Sequence, residues 1–357
     1  MDTIQISIIL NESKLMGCTP YQLQEIRQYI NSITSPYGYR YCDCLEVSTK
    51  WNFIVKISYP RFFAGINAFL ISNRDECMKV EMDFSYKIMG YQLLNDAKIK
   101  LDRVDIPFTY YMNPNYSFNS YKKVFQIFDY VYRKKNLKSN PKAYTNIKDF
   151  KAETLIYSDT PTMSGYNKKI MIYDQYSNLK TKTINERDLY NFETKYEGIQ
   201  NRMRIEVSKR IDRLAISIQE FSNYRIFEKY VPQYREYILQ NILSMEEIDC
   251  FYNEKSIELA QKLLAYKEEA NNFIYESFIY KEIENIYDYE IIRRALKICI
   301  ENIKTREKAI TAIRKVLFNY QLNENMVIME TYSVVMNIRS VIEQSFQDVS
   351  YNTFQIF

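Results

Sequence analysis

The sequence predicts an α+β protein in which a sheet-containing part precedes a mostly helical one. Several segments before residue 210 alternate apolar and polar residues, as half-buried strands do. After Ser208 the apolar spacing becomes i, i+3, i+4, i+7, beginning with Ile211, Leu214, Ala215 and Ile218, which is typical of a helix. A chain of 357 residues is long enough for about two domains. We therefore place a boundary near residue 210.

Two segments carry the clearest strand pattern. TIQISII has Ile4, Ile6 and Ile8 on one face, and WNFIVKISY alternates in the same way from Phe53 to Tyr59. Shorter segments predict further strands, namely MKVEM (78–82), IKLDRVDI (99–106), ETLIYS (153–158), KIMIYD (169–174) and MRIEVS (203–208).

Helices are predicted on both sides of the boundary. Thr19 before Pro20 is a start signal for a helix over 20–33, and part of 73–97 and all of 119–135 also fit helices. Beyond the boundary, with an interruption at Pro232, helices are expected over 234–248, 254–284, 288–320 and 324–346. The basic segment 304–335 fits either a helix-turn-helix or two packed helices.

The composition excludes several classes of enzyme. The chain has no histidine and only six glycines, which removes Ser-His-Asp and Cys-His catalysis, HExxH zinc sites and glycine-rich nucleotide loops. The six cysteines form no CxxC pair, and no leader or long apolar run precedes them. We therefore expect reduced thiols in a cytoplasmic protein without a membrane span.

A basic segment indicates contact with nucleic acid. Between Tyr121 and Lys151 there are nine Lys or Arg and two Asp, interleaved with aromatic residues, a mixture suited to phosphate contact and base stacking. A solvated basic helix and loop explains the pattern equally well. The candidate DNA-binding residues within it are Lys122, Lys123, Arg133, Lys134 and Lys135.

Three predicted strands bring chemical groups to one sheet face. Strand alternation places Arg204, Glu206 and Ser208 together, Tyr173 in phase with Met171, and Asp105 in phase with Ile99, Leu101 and Arg103. If these strands are neighbours, Asp105, Tyr173 and Glu206 meet, flanked by Arg103 and Arg204. Carboxylates that hold Mg²⁺ or Mn²⁺ would then help the Tyr173 phenol attack a phosphodiester. Cross-strand ion pairs and a core tyrosine are the alternative explanation.

Taken in order, these segments resemble the replication initiators of filamentous phages and small plasmids, of the gene II/X type and the replication initiation factor family. The resemblance rests on MDTIQI, KISYPRFFAGIN (56–67), LDRVDIPF (101–108), TLIYSDTPTMSGYNKKIMIYDQY (154–176) and NRMRIEV (201–207). It covers about the first 210 residues. It implies a bacterial cell as the location and an antiparallel-sheet nicking domain, initiator- and relaxase-like, over 1–210. The helical spacing beyond this segment predicts a helical domain over 211–357.

The resemblance also implies roles for individual residues. Tyr173 would cleave one DNA strand and remain joined to the 5′ phosphate, Asp105 and Glu206 would bind Mg²⁺ or Mn²⁺, and Tyr176 would be a second candidate nucleophile. The chain departs from the family at Gln175, where Lys is usual, and at Asn178, where Glu is frequent. Either the activity is reduced by these two changes, or Lys168, Lys169 or Asp174 supplies the missing charges.

The sequence thus leads to a metal-dependent initiator of rolling-circle replication acting on origin DNA, single-stranded or supercoiled. The helical domain would bind DNA, form a homodimer or recruit a host helicase. The alternative is a non-catalytic, DNA-binding replication regulator on the same scaffold, which the missing charges at Gln175 and Asn178 favour.

Overall fold

The predicted α+β class is confirmed by the computed structural model, which describes residues 1–47, 52–68, 70–136, 142–145, 154–159, 166–181, 199–270, 273–286, 288–324 and 331–345. Within them one antiparallel sheet has the order β2-β3-β1-β4-β8-β7-β6-β5, and β9 pairs with the start of β4. Its strands are β1 (Thr3–Ile9), β2 (Cys42–Val47), β3 (Phe53–Ser58), β4 (Lys98–Tyr111), β5 (Lys142–Thr145), β6 (Thr154–Ser158), β7 (Lys168–Asp174), β8 (Arg202–Arg210) and β9 (Ile216–Ser217).

Helices follow and separate these strands. The first half contains α1 (Glu12–Leu15), α2 (Pro20–Ser32), α3 (Tyr59–Ala64), α4 (Arg74–Gly90), α5 (Lys122–Lys135) and α6 (Gln175–Thr181). The second half contains α7 (Ile218–Ser222), α8 (Ile226–Asn241), α9 (Met245–Glu269), α10 (Tyr275–Glu282), α11 (Tyr289–Cys299), α12 (Ile303–Glu324) and α13 (Thr331–Gln344). None of the described helices has the length and apolar character needed to cross a membrane.

A β-bulge on β4 determines which residues face the core. Gln5 of β1 lies opposite Arg103, whereas Ile6 lies opposite Leu101, so Asp102 is an extra residue on β4. The bulge reverses the alternation and leaves Leu101 and Val104 on the same apolar face. The predicted phase of Asp105 with Ile99 and Leu101 is therefore wrong, while its phase with Arg103 is right.

Three local predictions are wrong because tertiary packing overrides a short pattern. MKVEM lies inside α4, which Asn73 caps and which buries Cys77, Val80 and Phe84. Residues 211–215 are not helical, and Leu214 is 91 % exposed. Pro232 lies within α8. Residues 325–330, which separate α12 from α13 in the sequence, are outside the described residues, so the helix-turn-helix stays a prediction.

One apolar core joins the two predicted regions. Buried residues from β1 through α13 form a single cluster, and α8 and α13 both pack against β4. The Tyr234 hydroxyl of α8 donates a hydrogen bond of 3.1 Å to the Val104 carbonyl of β4. The C-terminal helices thus cover one face of the sheet and leave the opposite face for polar residues. The division of function at residue 210 stays a prediction.

Candidate active site

The polar face of the sheet is built from rows of residues that lie opposite one another on neighbouring strands. Asp105 of β4 lies opposite Ser208 of β8, and Tyr173 of β7 lies opposite Arg204 of β8. Glu206 lies between these two rows on β8. The strand order β4-β8-β7 therefore brings Asp105, Glu206 and Tyr173 to one face, as the alternation predicted.

Tyr173 and Glu206 form the central contact of this face. The Tyr173 hydroxyl donates a hydrogen bond of 2.9 Å to Oε2 of Glu206, and the two side chains are buried. Burial, with the charge of Glu206 beside it, raises the pKa of the Tyr173 phenol well above its usual range. Burial and the carboxylates of Asp2 and Asp105 raise the pKa of Glu206 to about 7. Glu206 is thus placed to accept the phenol proton.

Three side chains hold Asp105 in place: Ser208 and Arg103 contact it directly, and Tyr166 contacts Ser208. Ser208 Oγ donates to its Oδ1 at 2.6 Å, and Arg103 Nη2 lies 3.1 Å from its Oδ2. The Tyr166 hydroxyl is 3.1 Å from Ser208 Oγ. Burial raises the pKa of the Asp105 carboxyl, and Arg103 and Ser208 oppose that rise. Strand alternation places Ser208 on this face without indicating a role for it, and no motif in the sequence points to Tyr166.

Arg204 carries a buried positive charge beside the Tyr173–Glu206 contact. Its side chain is 2 % exposed, and its Nη1 lies 3.6 Å from Oδ2 of Asp2. Burial alone would lower the pKa of the Arg204 guanidinium, but Tyr173, Asp2 and Glu206 hold it above its usual value. Asp2 could not be recognised from the sequence, because alternation through β1 would put it on the apolar face with Ile4.

The donors present do not fit a bound Mg²⁺ or Mn²⁺ as they are arranged. Asp105 already accepts from Ser208 and pairs with Arg103, and Glu206 accepts from Tyr173. In the described part of the chain, no three acidic or thiol side chains lie close enough to share one ion. The requirement for Mg²⁺ or Mn²⁺ therefore remains a prediction.

Asp174 and Tyr176 do not join the Tyr173–Glu206 contact. The Asp174 carboxylate accepts the backbone N–H of Tyr176 at 2.9 Å and of Ser177 at 3.2 Å, and so caps the start of α6. Tyr176 packs with the small apolar cluster of Ala68, Leu179 and Ile199. Its ring lies 4.1 Å from Lys180 Nζ. Asp174 therefore caps α6, and Tyr176 packs against the small apolar cluster.

Position 175, where the resemblance predicts a lysine, holds a buried amide. Gln175 is 1 % exposed, and its Nε2 donates to the Ala68 carbonyl at 2.9 Å. Arg202 Nη1 donates to the same carbonyl at 3.1 Å. Gln175 therefore anchors the segment after α3 at the ends of β7 and β8. Asn178 is half-buried on α6.

The two candidate lysines of β7 lie on opposite sides of the sheet. Lys168 has the phase of the buried Ile170 and Ile172, and its Nζ lies over the Tyr237 ring of α8 at 5.7 Å. Lys169 has the phase of Tyr173 and lies opposite Ser208. Of the two, the structure therefore brings Lys169 to the polar face.

Three of the five basic residues of α5, Lys123, Lys134 and Lys135, contact the C-terminal part of the chain. Lys134 pairs with Glu254 at 3.3 Å, Lys135 contacts Glu246 and Glu247 of α9 at 3.0 and 3.1 Å, and Arg133 pairs with Asp129 at 2.9 Å. Lys123 donates to the Ile286 carbonyl, and Lys122 is exposed. Phe128 and Tyr132 of the same helix are buried in the core. The geometry of α5 thus favours a role in packing over base stacking. Lys138, Lys148 and Lys151 of the basic segment lie outside the described residues.

No protein-family model, curated protein or solved structure matches this chain.

Proposed function

We propose that this protein is a DNA-nicking and joining enzyme that initiates rolling-circle replication through a covalent phosphotyrosine. The observation that carries the proposal is the buried 2.9 Å hydrogen bond from the Tyr173 hydroxyl to Glu206. Asp105 and two arginines, Arg103 and Arg204, share its sheet face. A nucleophile, a proton acceptor and cations for a phosphate are thus held by adjacent strands.

In the proposed reaction, residues of this chain supply the nucleophile, the proton acceptor and a stabilising positive charge. Tyr173 Oη forms a bond to phosphorus and passes its proton to Glu206, while the bond from phosphorus to the 3′ oxygen breaks. The leaving 3′ oxygen takes up a proton from water and is free to prime synthesis, and Glu206 releases the phenol proton to solvent. Arg204 stabilises the negative charge that develops beside Tyr173. The reverse reaction, with the 3′ hydroxyl as nucleophile, rejoins the strand.

Access to Tyr173 requires local movement. Its side chain is only 7 % exposed, so a phosphodiester reaches Oη after the side chains above it are displaced. Gln175 and Arg202 both hold the Ala68 carbonyl next to β7 and β8. We therefore expect the segment around Ala68 to shift when DNA binds.

The test is covalent capture of DNA by the purified protein. Incubation with supercoiled plasmid that carries the cognate origin, with Mn²⁺ or with EDTA, should yield a protein–DNA adduct on a denaturing gel. Tyr173→Phe should abolish the adduct, because only the hydroxyl is lost. Tyr176→Phe is the matched control and should form it normally. An adduct that survives in Tyr173→Phe would contradict the assignment of the nucleophile.

A non-catalytic DNA-binding regulator is the second candidate function. The burial of Tyr173 and the structural use of Gln175 favour it. Origin binding by wild type and Tyr173→Phe alike, without an adduct in either, would support the regulator. The EDTA arm separately tests the predicted need for Mg²⁺ or Mn²⁺.

A further inference from the structure

Two lysines lie side by side where the sheet meets α8. Lys168 and Lys209 are directly opposite each other on β7 and β8, and the Cβ atoms of such a cross-strand pair are about 5 Å apart. Their Nζ atoms lie 5.7 and 4.8 Å from the centroid of the same ring, that of Tyr237 on α8. Lys209 Nζ also lies 4.7 Å from the centroid of the Tyr234 ring. Two like charges therefore share one aromatic surface.

Aromatic rings, rather than carboxylates, contact these two ammonium groups. Within the described part of the chain, neither Nζ makes an ion pair or a hydrogen bond. Asp159 follows β6, and its carboxylate accepts the backbone N–H groups of Asn167 and Lys168 at 3.0 and 3.1 Å. Burial raises the pKa of the Tyr234 and Tyr237 phenols, with contributions from Asp105 and Asp159, so both rings stay uncharged. Cation–π contacts thus take the place of ion pairs here.

This environment favours the neutral amine of Lys209. Its side chain is half-buried, and burial together with the Lys168 ammonium lowers the pKa of Lys209 from 10.5 to about 8. An amine is a nucleophile only without its proton, and burial beside a second cation provides that form near neutral pH. Lys209 Nζ is not one of the fully buried polar atoms that lack a partner, so solvent reaches it. Lys209 therefore combines a reactive amine with access from outside.

We infer that Lys209 is a site of covalent acylation by an acyl phosphate, whose phosphate Lys168 binds. An anionic donor is favoured because Lys168 is exposed and positively charged. Lys209 Nζ forms a bond to the acyl carbon, and the bond from that carbon to the phosphate oxygen breaks. Inorganic phosphate leaves with the electron pair, and the nitrogen releases its proton to solvent. Neither DNA nor Tyr173 takes part, so this reaction is independent of the proposed function.

Acylation of Lys209 would change the contact between the sheet and α8. Val104 of β4 lies opposite Lys209, and its carbonyl accepts the Tyr234 hydroxyl at 3.1 Å. An acylated Lys209 is neutral, so it would lose its cation–π contacts with both rings and its repulsion with Lys168. The modification would therefore act at the junction of the sheet with the C-terminal helices, away from the polar face.

The test is the rate of acetylation of individual lysines in the full-length protein. The protein is incubated with acetyl phosphate at about pH 8, and peptide mass spectrometry follows each site. Lys229 is the matched control, because it is an exposed lysine of α8 whose Nζ lies 3.5 Å from the centroid of a single ring, that of Tyr224. Lys209 should react roughly tenfold faster than Lys229, since much more of its amine is neutral at this pH. Equal rates would overturn the inference.

Variants of Lys168 separate charge from structure, and both should fold because this side chain is exposed. Lys168→Met should slow the acetylation of Lys209 about threefold, since it removes the like charge and the contact with the donor. Lys168→Arg keeps the positive charge and should react at close to the wild-type rate. A wild-type rate in Lys168→Met, or an equal loss in both variants, would refute the paired site. In urea-unfolded protein Lys209 and Lys229 should react equally, and a preference that persists there would also contradict a site built by the fold.

Discussion

Glu206 accepts a hydrogen bond from the Tyr173 hydroxyl. Burial and two neighbouring carboxylates raise the pKa of Glu206 to about 7. A carboxylate removes a proton only when it is ionised, so the rate of adduct formation should rise with pH and level off above about 7. Glu206→Gln keeps the side-chain volume but cannot accept the proton, and we expect a loss of about 10²- to 10⁴-fold. The measurement is the single-turnover rate of adduct formation across pH. A flat profile, or wild-type rates in Glu206→Gln, would remove Glu206 as the base.

Asp174 provides a test that separates capping from metal binding. Its carboxylate accepts two backbone N–H groups at the start of α6. Asp174→Ala should lower the free energy of unfolding by about 1 kcal/mol, whereas Asp174→Asn, which is also a good cap, should lower it much less. Adduct formation should survive in the Asn variant. Loss of the adduct in Asp174→Asn, with stability unchanged, would instead restore Asp174 as a metal ligand.

At the scale of elements, a buried acid joins α4 to α8. Glu81 of α4 accepts the Tyr59 hydroxyl at 3.0 Å and the backbone N–H of Ile226, the first residue of α8. Burial raises the pKa of Glu81 from 4.5 to about 8. Folding therefore favours the protonated acid, and its contribution to stability is full below pH 4.5 and is lost as pH rises toward 8.

Glu81→Gln should remove this dependence. The free energy of unfolding of the wild type should fall between about pH 5 and pH 8, while that of the variant should change less over the same interval. Urea unfolding at these pH values measures the difference. Equal pH dependence in the two proteins would show that Glu81 does not titrate in this window.

The strand pattern predicted the central elements because each has one face in the core. β1, β3, β7 and β8 alternate without interruption, so Tyr173 and Glu206 could be placed on one face from the sequence. Asp105 was placed correctly only through its phase with Arg103, because both residues follow the bulge on β4. The contact of Asp2 with Arg204 could not be predicted. Asp2 precedes β1, so the alternation of the strand does not determine where its side chain lies. The bulge at Asp102 could not be predicted either, because an extra residue is detected only from the pairing of β1 with β4.

At the scale of the whole molecule, the sheet and the C-terminal helices depend on each other. Val104, Ile106 and Phe108 of β4 are buried in the core that α8 and α13 complete. A fragment ending at residue 210 would expose this apolar face, and exposed apolar patches of that kind lead to association. The full chain should therefore unfold cooperatively as one unit.

We expect the fragment 1–210 to aggregate or to show no cooperative urea transition, whereas the full chain unfolds in one transition by circular dichroism and tyrosine fluorescence alike. Tyr234→Phe in the full chain is the milder companion variant. It removes only the 3.1 Å hydrogen bond to the Val104 carbonyl and should lower stability by about 1 kcal/mol. A soluble, cooperatively folding fragment that still forms the DNA adduct would instead show that residues 1–210 are an independent nicking domain. The C-terminal helices would then be an added module, because the catalytic sheet would need no cover from them.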